Sequence, residues 1–413
     1  MKRDLDPGGL AALLDRAGVR QTLAALDEPG AETRLVGGCV RDAMLGIAAA
    51  DIDLTTTLRP ETVMARARAA GLKAIPTGIE HGTVTLITGD GPLEITTLRE
   101  DVETDGRHAV VRFGSDFAKD AERRDFTINA LSLGRDGRLH DTVGGLADLE
   151  DGRVRFIGDP ATRIREDALR ILRFFRFQAR FGSGAPEAAA LTACVAARNS
   201  LRRLSRERIR DEFLKLLTAA GGPAMVSILS GTGLLQRITG GIGEMGRLER
   251  AAEAGLSPVM RLAALAVATR HDADRLRDRL RLSNPDHGQL TAYAAALADL
   301  HGRASVDAAA VRAFAAEHGL SLVTETLAIL AGEPRPDVTD AAREALTVLR
   351  GEGGAPAFPI AGADLVAAGI PPGPAIGRAL GAARRLWLER GCPTGADARA
   401  TLMETALASA HVL

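Results

Sequence analysis

The sequence predicts an α+β fold, in which a small α/β domain at the N terminus is followed by helices to the end of the chain. Strand and helix patterns alternate up to about residue 140. The runs Gly82–Thr88 and Leu93–Leu98 are rich in β-branched residues, and the sequence GDGP between them is typical of a hairpin turn. After about residue 140 the strand signals fade, and alanine- and leucine-rich segments broken by glycine indicate helices.

The N-terminal elements can be placed in chain order. Thr33–Val36 is predicted as a strand, followed by a glycine-glycine turn and a short helix that reaches Met44. Asp51–Thr55 is a second predicted strand. Pro60 is expected to begin a helix, because the first turn of a helix leaves an N–H without a partner in any case. This alternation is typical of a small α/β domain.

The rest of the chain is predicted as helices with one irregular stretch before them. Residues 99–112 are charged and have no clear period, so we predict a mobile loop. Ala161–Phe181 and Leu204–Leu217 have the apolar spacing of helices. Gly351–Pro359 is dense in proline and glycine and predicts a boundary before a last helical segment.

Length and composition indicate an ordinary globular protein. The 413 residues suffice for about two to four domains, and 46% are hydrophobic and 25% charged. No apolar run reaches the roughly 18 residues of a membrane span, and the start MKRDLDPGG lacks the apolar segment of a signal peptide. Cys39, Cys194 and Cys392 are far apart and lack CxxC spacing. We therefore expect no membrane partner, no disulfide or zinc framework, and a cytoplasmic location.

The distribution of charge is more informative than its total. The formal net charge is −1, which does not indicate nucleic acid binding. Residues 163–215, however, contain 13 Lys and Arg against 6 Asp and Glu. Nearly all of the positive charge is arginine, a composition that a GC-rich genome also produces. Clustered guanidinium groups suit phosphate recognition, so this region is a candidate nucleic acid surface.

Two carboxylates and a glycine pair form the first candidate site. Asp51 and Asp53 alternate in a predicted strand, so both side chains face one side and could hold Mg²⁺. Gly37 and Gly38 follow a strand and open a helix, where backbone N–H groups can approach a phosphate. Glu94, on a strand downstream, could complete a two-metal clamp. Taken singly, each motif is also compatible with a solvated strand edge or a tight turn.

Two further motifs carry candidate nucleotide ligands. In RRDFTINA, the apolar residues can anchor a short element in the core, so that Arg124, Asp125 and Asn129 could meet triphosphate and ribose hydroxyls. In REDALRILRFFR, helical spacing would align a second set of side chains on one face, namely Asp167, Arg170, Arg173 and Arg176. Surface ion pairs are the alternative for both motifs, and such pairs contribute little to stability.

An Asp–Arg pair can select bases without a template. A carboxylate accepts hydrogen bonds and a guanidinium donates them. Cytosine and adenine each present an exocyclic amino donor beside a ring-nitrogen acceptor, whereas guanine and uracil present the reverse. Asp167 and Arg170 could therefore accept C and A and reject G and U, while the remaining arginines hold the triphosphate.

Four motifs in fixed order resemble a known family. LVGGCVRD, DIDL, RRDFTINAL and EDALRILR resemble class II tRNA nucleotidyltransferases and the closely related bacterial poly(A) polymerases. The resemblance is strong over residues 31–180 and extends less specifically through Arg202–Leu217. It implies a polymerase-beta-like nucleotidyltransferase head over residues 1–140, followed by an all-helical neck (141–220), body (221–350) and tail (351–413) that hold tRNA.

The resemblance also implies roles for particular residues. Gly38 and Arg41 would contact the nucleotide, and Asp51 and Asp53 would bind Mg²⁺. The incoming CTP or ATP would be bound by Arg124, Asp167, Arg170, Arg173 and Arg176, with Asp167 and Arg170 reading the base. Residues 99–112 correspond to the family's flexible loop, which is linked to the switch from C to A addition. No protein partner is implied.

Within the family, the sequence favours addition of CCA to tRNA. Gly71–Ile87 resembles the CCA-adding branch and lacks the GRRF-like segment usual in poly(A) polymerases, and His271-Asp272 stands alone, so no appended HD hydrolase is expected. The segments Ile360–Leu365 and Gly369–Arg378 resemble a tail that binds tRNA phosphate. Helix–turn–helix packing is the alternative for these segments. Trp387 is predicted to lie in the core. Poly(A) polymerase, a partial CC- or A-adding enzyme and an inactive RNA-binding module remain alternatives.

Overall fold

The computed structural model describes residues 2–49, 51–104 and 109–410. The chain divides into two compact units. Unit 1 comprises Met1–Glu212 and Ala219–Met225, and unit 2 comprises Phe213–Thr218 and Val226–Leu413. The division into head, neck, body and tail is finer than this and stays a prediction.

Nine of the eleven described strands lie in unit 1. They are β1 (Thr33–Val36), β2 (Ile52–Thr56), β3 (Lys73–Gly78), β4 (Thr83–Thr88), β5 (Gly91–Thr97), β6 (Arg99–Thr104), β7 (Ala109–Phe113), β8 (Ser132–Gly134) and β9 (Leu139–His140). Seven of them form one sheet in the order β3-β4-β5-β2-β1-β8-β9, while β6 and β7 form a separate antiparallel ribbon. In the large sheet, β2 and β5 pair in parallel and the other neighbours pair antiparallel.

Unit 1 also contains nine helices in its described part. They are α1 (Gly9–Leu14), α2 (Ala17–Ala25), α3 (Gly38–Met44), α4 (Pro60–Ala69), α5 (Phe117–Glu122), α6 (Gly145–Glu150), α7 (Pro160–Glu166), α8 (Arg170–Phe181) and α9 (Ala188–Ala196). Two more, α10 (Arg206–Thr218) and α11 (Gly222–Gly231), contribute residues to both units. Short 3₁₀ turns occur at Ile79–His81, Thr127–Asn129 and Arg198–Arg203.

Unit 2 is almost entirely helical. Its helices are α12 (Leu234–Thr239), α13 (Met245–Glu253), α14 (Pro258–Ala266), α15 (Arg270–Leu280), α16 (Asn284–His301), α17 (Ala308–His318), α18 (Leu320–Leu330), α19 (Asp340–Gly351), α20 (Gly362–Ala367), α21 (Pro374–Glu389) and α22 (Ala396–Ala410). Two short strands, β10 (Ser305–Val306) and β11 (Asp337–Val338), pair in parallel. Among the described residues, no helix combines the length and the apolar character that crossing a membrane requires.

The predicted α+β fold class is confirmed, and so are most of the predicted elements. Thr33–Val36 forms β1, the helix predicted to reach Met44 is α3, and Pro60 begins α4. The predicted hairpin is β4 and β5, which pair along their whole length. The stretch Gly351–Pro359 contains no helix beyond Gly351, which ends α19.

Two predictions about local structure are wrong. Residues 99–112 are not a loop over their described part, because β6 and β7 pair there with a register shift between Asp101 and Glu103; residues 105–108 lie outside the described ranges. Ala161–Phe181 is not one helix, because Asp167 has extended backbone angles (φ −148°, ψ 110°) and ends α7. A new helix, α8, begins three residues later at Arg170.

The sheet and a phenylalanine cluster form the core of unit 1. Leu35, Leu54 and Ile95 are buried on adjacent central strands. In the RRDFTINA segment, Phe126 and Ile128 are buried as predicted. The Phe126 ring lies 4.8 Å from that of Phe156 and 5.2 Å from that of Phe177 on α8, measured between centroids. These contacts fix α8 against the segment that carries Arg124 and Asn129.

Trp387 anchors the last helices of unit 2. Its side chain is fully buried, which confirms the prediction that it belongs to the core. The indole Nε1 donates a hydrogen bond to the carbonyl of Pro393 at 3.1 Å, and the ring of Phe358 lies 5.4 Å away between centroids. The buried polar end of the indole is therefore satisfied, as is usual for a core tryptophan.

Candidate active site

A cavity of about 620 Å³ in unit 1 brings the predicted site residues together. Its walls come from the turn before α3, the start of β2, the RRDFTINA segment and α8. Every predicted site residue except Glu94 lines it, together with several that were not predicted. The lining consists of Gly37, Gly38, Arg41, Asp42, Ala48, Asp51, Asp53, Arg123, Arg124, Asp125, Asn129, Asp167, Arg170, Arg173, Arg176, Phe177 and Arg180.

The glycine turn shapes one wall of the cavity. Gly37 has a positive φ of 74°, a conformation that side chains other than glycine rarely adopt. A Cβ atom there would also meet Nη1 of Arg124 at 2.9 Å. Gly38 opens α3 directly after this turn. The N–H of Gly37 donates to the carbonyl of Leu131 at 2.9 Å, so it is not available to a ligand. The start of α3 at Gly38 lies at the cavity wall with no side chain on either glycine, and a helix N terminus is a position that suits a phosphate.

Asp51 and Asp53 form an acidic end of the cavity. Asp51 lies just before β2 and is exposed, whereas Asp53 lies on β2 and is partly buried. Burial raises the pKa of the Asp53 carboxyl, with further contributions from the charges of Glu94 and Asp51 against an opposing one from Arg124. Within the described part of the chain, neither carboxylate takes part in a hydrogen bond or an ion pair through its side chain. Uncompensated carboxylates of this kind fit a divalent cation.

Glu94 lies beside this acidic end but not in the cavity. It is directly opposite Asp53 on the parallel strand β5, and its side chain is exposed. Among the described residues, the carboxylate oxygens of Asp51, Asp53 and Glu94 do not all lie within 4.8 Å of one another. The structure thus places Glu94 where its charge acts on Asp53, and gives no support for a third ligand at one shared ion.

Arg41 connects the glycine turn to the RRDFTINA segment. It is buried, and its Nε and Nη2 atoms donate to one carboxylate oxygen of Asp42 at 2.8 and 2.6 Å. Its Nη1 donates to the side-chain oxygen of Asn129. Burial lowers the pKa of this guanidinium, although the charge of Asp42 opposes the shift. Arg41 is thereby held in one orientation before any ligand binds.

Asp125 and Asp120 hold the arginines on the opposite wall. Asp125 accepts from Arg173 at 2.6 Å and from the side-chain amide of Asn129 at 3.0 Å. Burial alone would raise the pKa of Asp125, but the charge of Arg173 and these hydrogen bonds lower it overall. Asp120 is buried outside the cavity and accepts from Arg124 at 3.1 and 3.2 Å. Asp125 therefore positions Arg173 and is not free to bind a ligand with both oxygens.

The helix break places Asp167 and Arg170 on separate elements. One carboxylate oxygen of Asp167 accepts from the backbone N–H of Leu169 at 3.0 Å, and the other accepts from Arg208 on α10 at 2.7 Å. Arg170 pairs with Glu166 and donates to the carbonyl of Arg163 at 3.0 Å. Asp167 and Arg170 do not pair with each other; each forms an ion pair with a different residue, Asp167 with Arg208 and Arg170 with Glu166. Both side chains line the cavity.

Sequence reasoning missed residues that support or extend the row of arginines on α8, which consists of Arg170, Arg173 and Arg176. Glu212 on α10 is buried and accepts from Arg176. Arg180, one turn beyond Arg176, lines the cavity and donates to Asp42 at 3.2 Å. The helical spacing of α8 was sufficient to find Arg180. Glu212 comes from another element, and no local pattern in the sequence links it to Arg176. Asp120 precedes Arg124 by four residues, the spacing of a local ion pair.

Comparison with known proteins shows the family to which the chain belongs. Residues 33–155 match the sequence profile of the poly A polymerase head domain, and residues 185–241 match a probable RNA and SrmB-binding site of polymerase A. A CCA-adding enzyme of Limosilactobacillus fermentum is 34% identical over 379 residues, which cover 87% of this chain and 90% of that protein. The chain belongs to the CCA-adding enzyme family. This fold of nucleotidyltransferases implies the use of a divalent metal.

Other members of the family show how far the likeness extends. The mitochondrial CCA tRNA nucleotidyltransferase 1 of Danio rerio is 40% identical over 263 residues, and the match spans 62% of this chain and 61% of that protein. The match to the corresponding Homo sapiens protein spans 44% of its length. The crystal structure of the Bacillus stearothermophilus CCA-adding enzyme in complex with CTP has a TM-score of 0.73 at 27% identity and covers 98% of both chains.

Proposed function

We propose that this chain adds C, C and A to the 3′ end of tRNA, using CTP and ATP without a nucleic acid template. The proposal rests on one cavity, which is lined by the acidic end, the glycine turn at a helix start and the Asp167–Arg170 segment. These parts correspond to what the reaction needs: a site for the reacting phosphate, a cradle for the triphosphate, and a group that reads the base. The likeness to an enzyme crystallised with CTP supports the same conclusion.

Base selection is assigned to Asp167 and Arg170. The contacts with the Leu169 N–H and with Arg208 hold the Asp167 carboxylate in place. Each carboxylate oxygen has two lone pairs, so Asp167 can still accept a hydrogen bond from the amino group of cytosine or adenine. Arg170 supplies the donor for the adjacent ring nitrogen. Uracil and guanine would set an acceptor against the carboxylate and a donor against the guanidinium.

Phosphoryl transfer is assigned to the acidic end and the surrounding arginines. Asp51 and Asp53 would hold Mg²⁺, which supplies charge neutralisation and a more acidic 3′-hydroxyl when it is bound. The start of α3 at Gly38 and the guanidinium of Arg41 orient the triphosphate, and Gly37 keeps this part of the wall free of a side chain. Further positive charge comes from Arg124, Arg173 and Arg176. The RNA 3′-oxygen then forms its bond to the α-phosphorus in line, and pyrophosphate leaves.

The remaining parts of the chain are assigned to tRNA. The basic region 163–215 and the tail, residues 351–413, would contact backbone phosphates, which position the RNA without reading its sequence. A cytoplasmic location is consistent with Cys39, Cys194 and Cys392, which are all free and buried. Burial raises the pKa of the Cys39 thiol to about 11, so this residue next to the site is not a reactive nucleophile.

Incorporation of labelled nucleotides into a tRNA that lacks its last three residues tests the proposal. The products are resolved at single-nucleotide length after incubation with Mg²⁺ and CTP, ATP or both. We expect two additions with CTP alone and a stop after three with both nucleotides. A long ladder with ATP alone would identify a poly(A) polymerase, and additions that stop after CC, or that need a CC end, would identify a partial enzyme. No product at all would indicate an RNA-binding module.

A further inference from the structure

Arg180 extends the arginine row of α8 by one turn, and the mechanism above gives it no role. Arg170, Arg173, Arg176 and Arg180 are spaced three, three and four residues apart, which keeps them on one face of a helix. All four line the same cavity. At a rise of 1.5 Å per residue, Arg180 lies about 15 Å along the helix axis from Arg170. It is therefore at the end of the row farthest from the base-reading segment.

The contacts of Arg180 tie it to the glycine turn. Its Nη2 atom donates to Asp42 at 3.2 Å, and Asp42 lies on α3 next to Arg41. The guanidinium groups of Arg41 and Arg180 lie 4.1 and 4.8 Å from the centroid of the same ring, Phe181. Arg180 is thus placed beside the helix that the phosphate-binding turn opens.

Positive charge exceeds negative charge at this end of the cavity. Asp42 serves two guanidinium groups, because one of its oxygens accepts both bonds from Arg41 and the other accepts from Arg180. Arg176 is balanced separately by Glu212. The charges of Arg180 and Arg176 both add to the lowering of the Arg41 pKa, although burial is its main cause. An anion bound here would relieve this repulsion.

Arg180 is also the arginine of this group with the most room to bind. Its side chain is 42% exposed, compared with 5% for Arg41 and 14% for Arg176. Within the described residues, the Nη2 contact with Asp42 is its one hydrogen bond. The other donors of the guanidinium fork remain available, and a fork of this geometry matches a phosphate group.

We propose that Arg180 binds the terminal phosphates of the incoming CTP or ATP, and the same groups again as pyrophosphate when they leave. The proposal rests on the function assigned above to this cavity. Phosphates also occur in the RNA backbone, but the link through Asp42 to α3 favours the nucleotide. Because the terminal phosphates are common to CTP and ATP, Arg180 would contribute to the affinity for both without affecting the choice between them.

Steady-state kinetics of Arg180→Met in both directions of the reaction test this role. The KM values for CTP, ATP and tRNA are measured in the forward direction, and the KM for pyrophosphate in the reverse direction. We expect the KM values for CTP, ATP and pyrophosphate to rise together by about tenfold, the loss typical of one charge-assisted hydrogen bond. The KM for tRNA and the order of C and A addition should not change. Arg180→Lys, which keeps the charge, should show a smaller rise.

The matched control is Arg135→Met, which removes an exposed guanidinium from another Arg–carboxylate pair of unit 1, outside the cavity. It should leave all four KM values unchanged, and a thermal midpoint close to that of the parent protein would show that each variant is folded. Unchanged KM values for CTP, ATP and pyrophosphate in Arg180→Met, or a rise confined to tRNA, would overturn the proposal.

Direct binding of CTP without RNA separates this proposal from the proposed function. The dissociation constant of CTP in the presence of Mg²⁺ is measured by calorimetry for the parent protein and for Arg180→Met. We expect about tenfold weaker binding in the variant. This comparison holds even if the parent protein were to extend no tRNA. Equal affinities would then reject Arg180 as a phosphate ligand independently of the activity.

Discussion

At the scale of single residues, Asp53 combines a cost in stability with a role in function. Its raised pKa means that the ionised carboxylate destabilises the folded state, because burial and the charges of Glu94 and Asp51 act against it. This destabilisation grows as the pH rises past the ordinary pKa of an aspartate, where the unfolded chain is already ionised. A residue retained under such conditions is typical of a site that binds a cation.

Asp53→Asn should therefore stabilise the metal-free protein and abolish nucleotide transfer. We expect the thermal midpoint at neutral pH to rise by about 1–3 °C without Mg²⁺, and the stabilisation that added Mg²⁺ gives the parent protein to disappear. Thermal unfolding with and without Mg²⁺ measures both the higher midpoint and the lost stabilisation by Mg²⁺. Binding of tRNA should be retained. Asp278→Asn, an exposed aspartate of α15, is the control for a change in net charge. Undiminished transfer by Asp53→Asn would contradict the metal assignment.

The ionised carboxylate of Asp125 has the opposite effect on the stability of the fold. Its pKa is lowered by Arg173 and Asn129 despite burial, so the carboxylate stabilises the fold above the ordinary pKa of an aspartate. That contribution is lost as the pH falls through the lowered pKa of the folded state. Asp125→Asn should cost about 2 kcal/mol of unfolding free energy at pH 7. Urea unfolding at stepwise lower pH should show the difference from the parent protein shrinking, and a difference independent of pH would argue against this ion pair.

Residue patterns in the sequence predicted which side chains line the cavity, but not what holds them. Gly37, Asp51 and Arg170, which the motifs singled out, all line the cavity. The reasons given for two of them differ from the structure, since Asp51 lies just before β2 and Arg170 begins a helix that does not contain Asp167. Glu212, which orients Arg176, could not be assigned, because it is 36 residues away and this pairing depends on tertiary packing. Asp120 lies four residues before Arg124, a spacing typical of a local ion pair, although other charges in the segment offer competing partners.

At the scale of elements, the break between α7 and α8 shapes the segment to which we assign base reading. The apolar period runs on through Ile164, Ala168 and Ile171, all of them buried, so periodicity alone predicts one continuous helix. The break depends instead on one side chain, since the Asp167 carboxylate accepts from the N–H of Leu169. Aspartate competes for backbone N–H groups in this way and thereby interrupts helices. The charged segment that forms β6 and β7 likewise has no apolar periodicity from which its two strands could be predicted.

Substitutions of Asp167 should separate its two contributions. Asp167→Asn retains an oxygen that can accept from Leu169, so we expect little change in thermal midpoint, whereas Asp167→Ala should cost about 1 kcal/mol, as for loss of a helix cap. Asparagine also offers an amide donor beside an acceptor, so misincorporation of UTP should increase relative to CTP in Asp167→Asn. Competition between CTP and UTP at equal concentration measures this ratio. An unaltered ratio would show that Asp167 does not read the base.

At the scale of the whole molecule, the chain is nearly neutral, with a formal net charge of −1. Long-range attraction to RNA therefore cannot come from the total charge and must come from its distribution. Residues 163–215 hold the largest local excess of arginine, and Arg202, Arg203 and Arg208 are exposed in it. An uneven distribution of this kind favours binding of tRNA in one orientation.

The affinity for tRNA should consequently depend steeply on salt, and the affinity for CTP much less. We expect the dissociation constant of tRNA to rise by at least about tenfold between roughly 50 and 200 mM monovalent salt, since each neutralised phosphate releases condensed counterions. Arg202→Gln should reduce the slope of log Kd against log salt by about one unit if it contacts a phosphate. Arg135→Gln, outside the basic region and paired with Asp27, should leave the slope unchanged. A slope near zero for the parent protein would mean that neither residues 163–215 nor the tail, residues 351–413, contacts the phosphates of the RNA backbone.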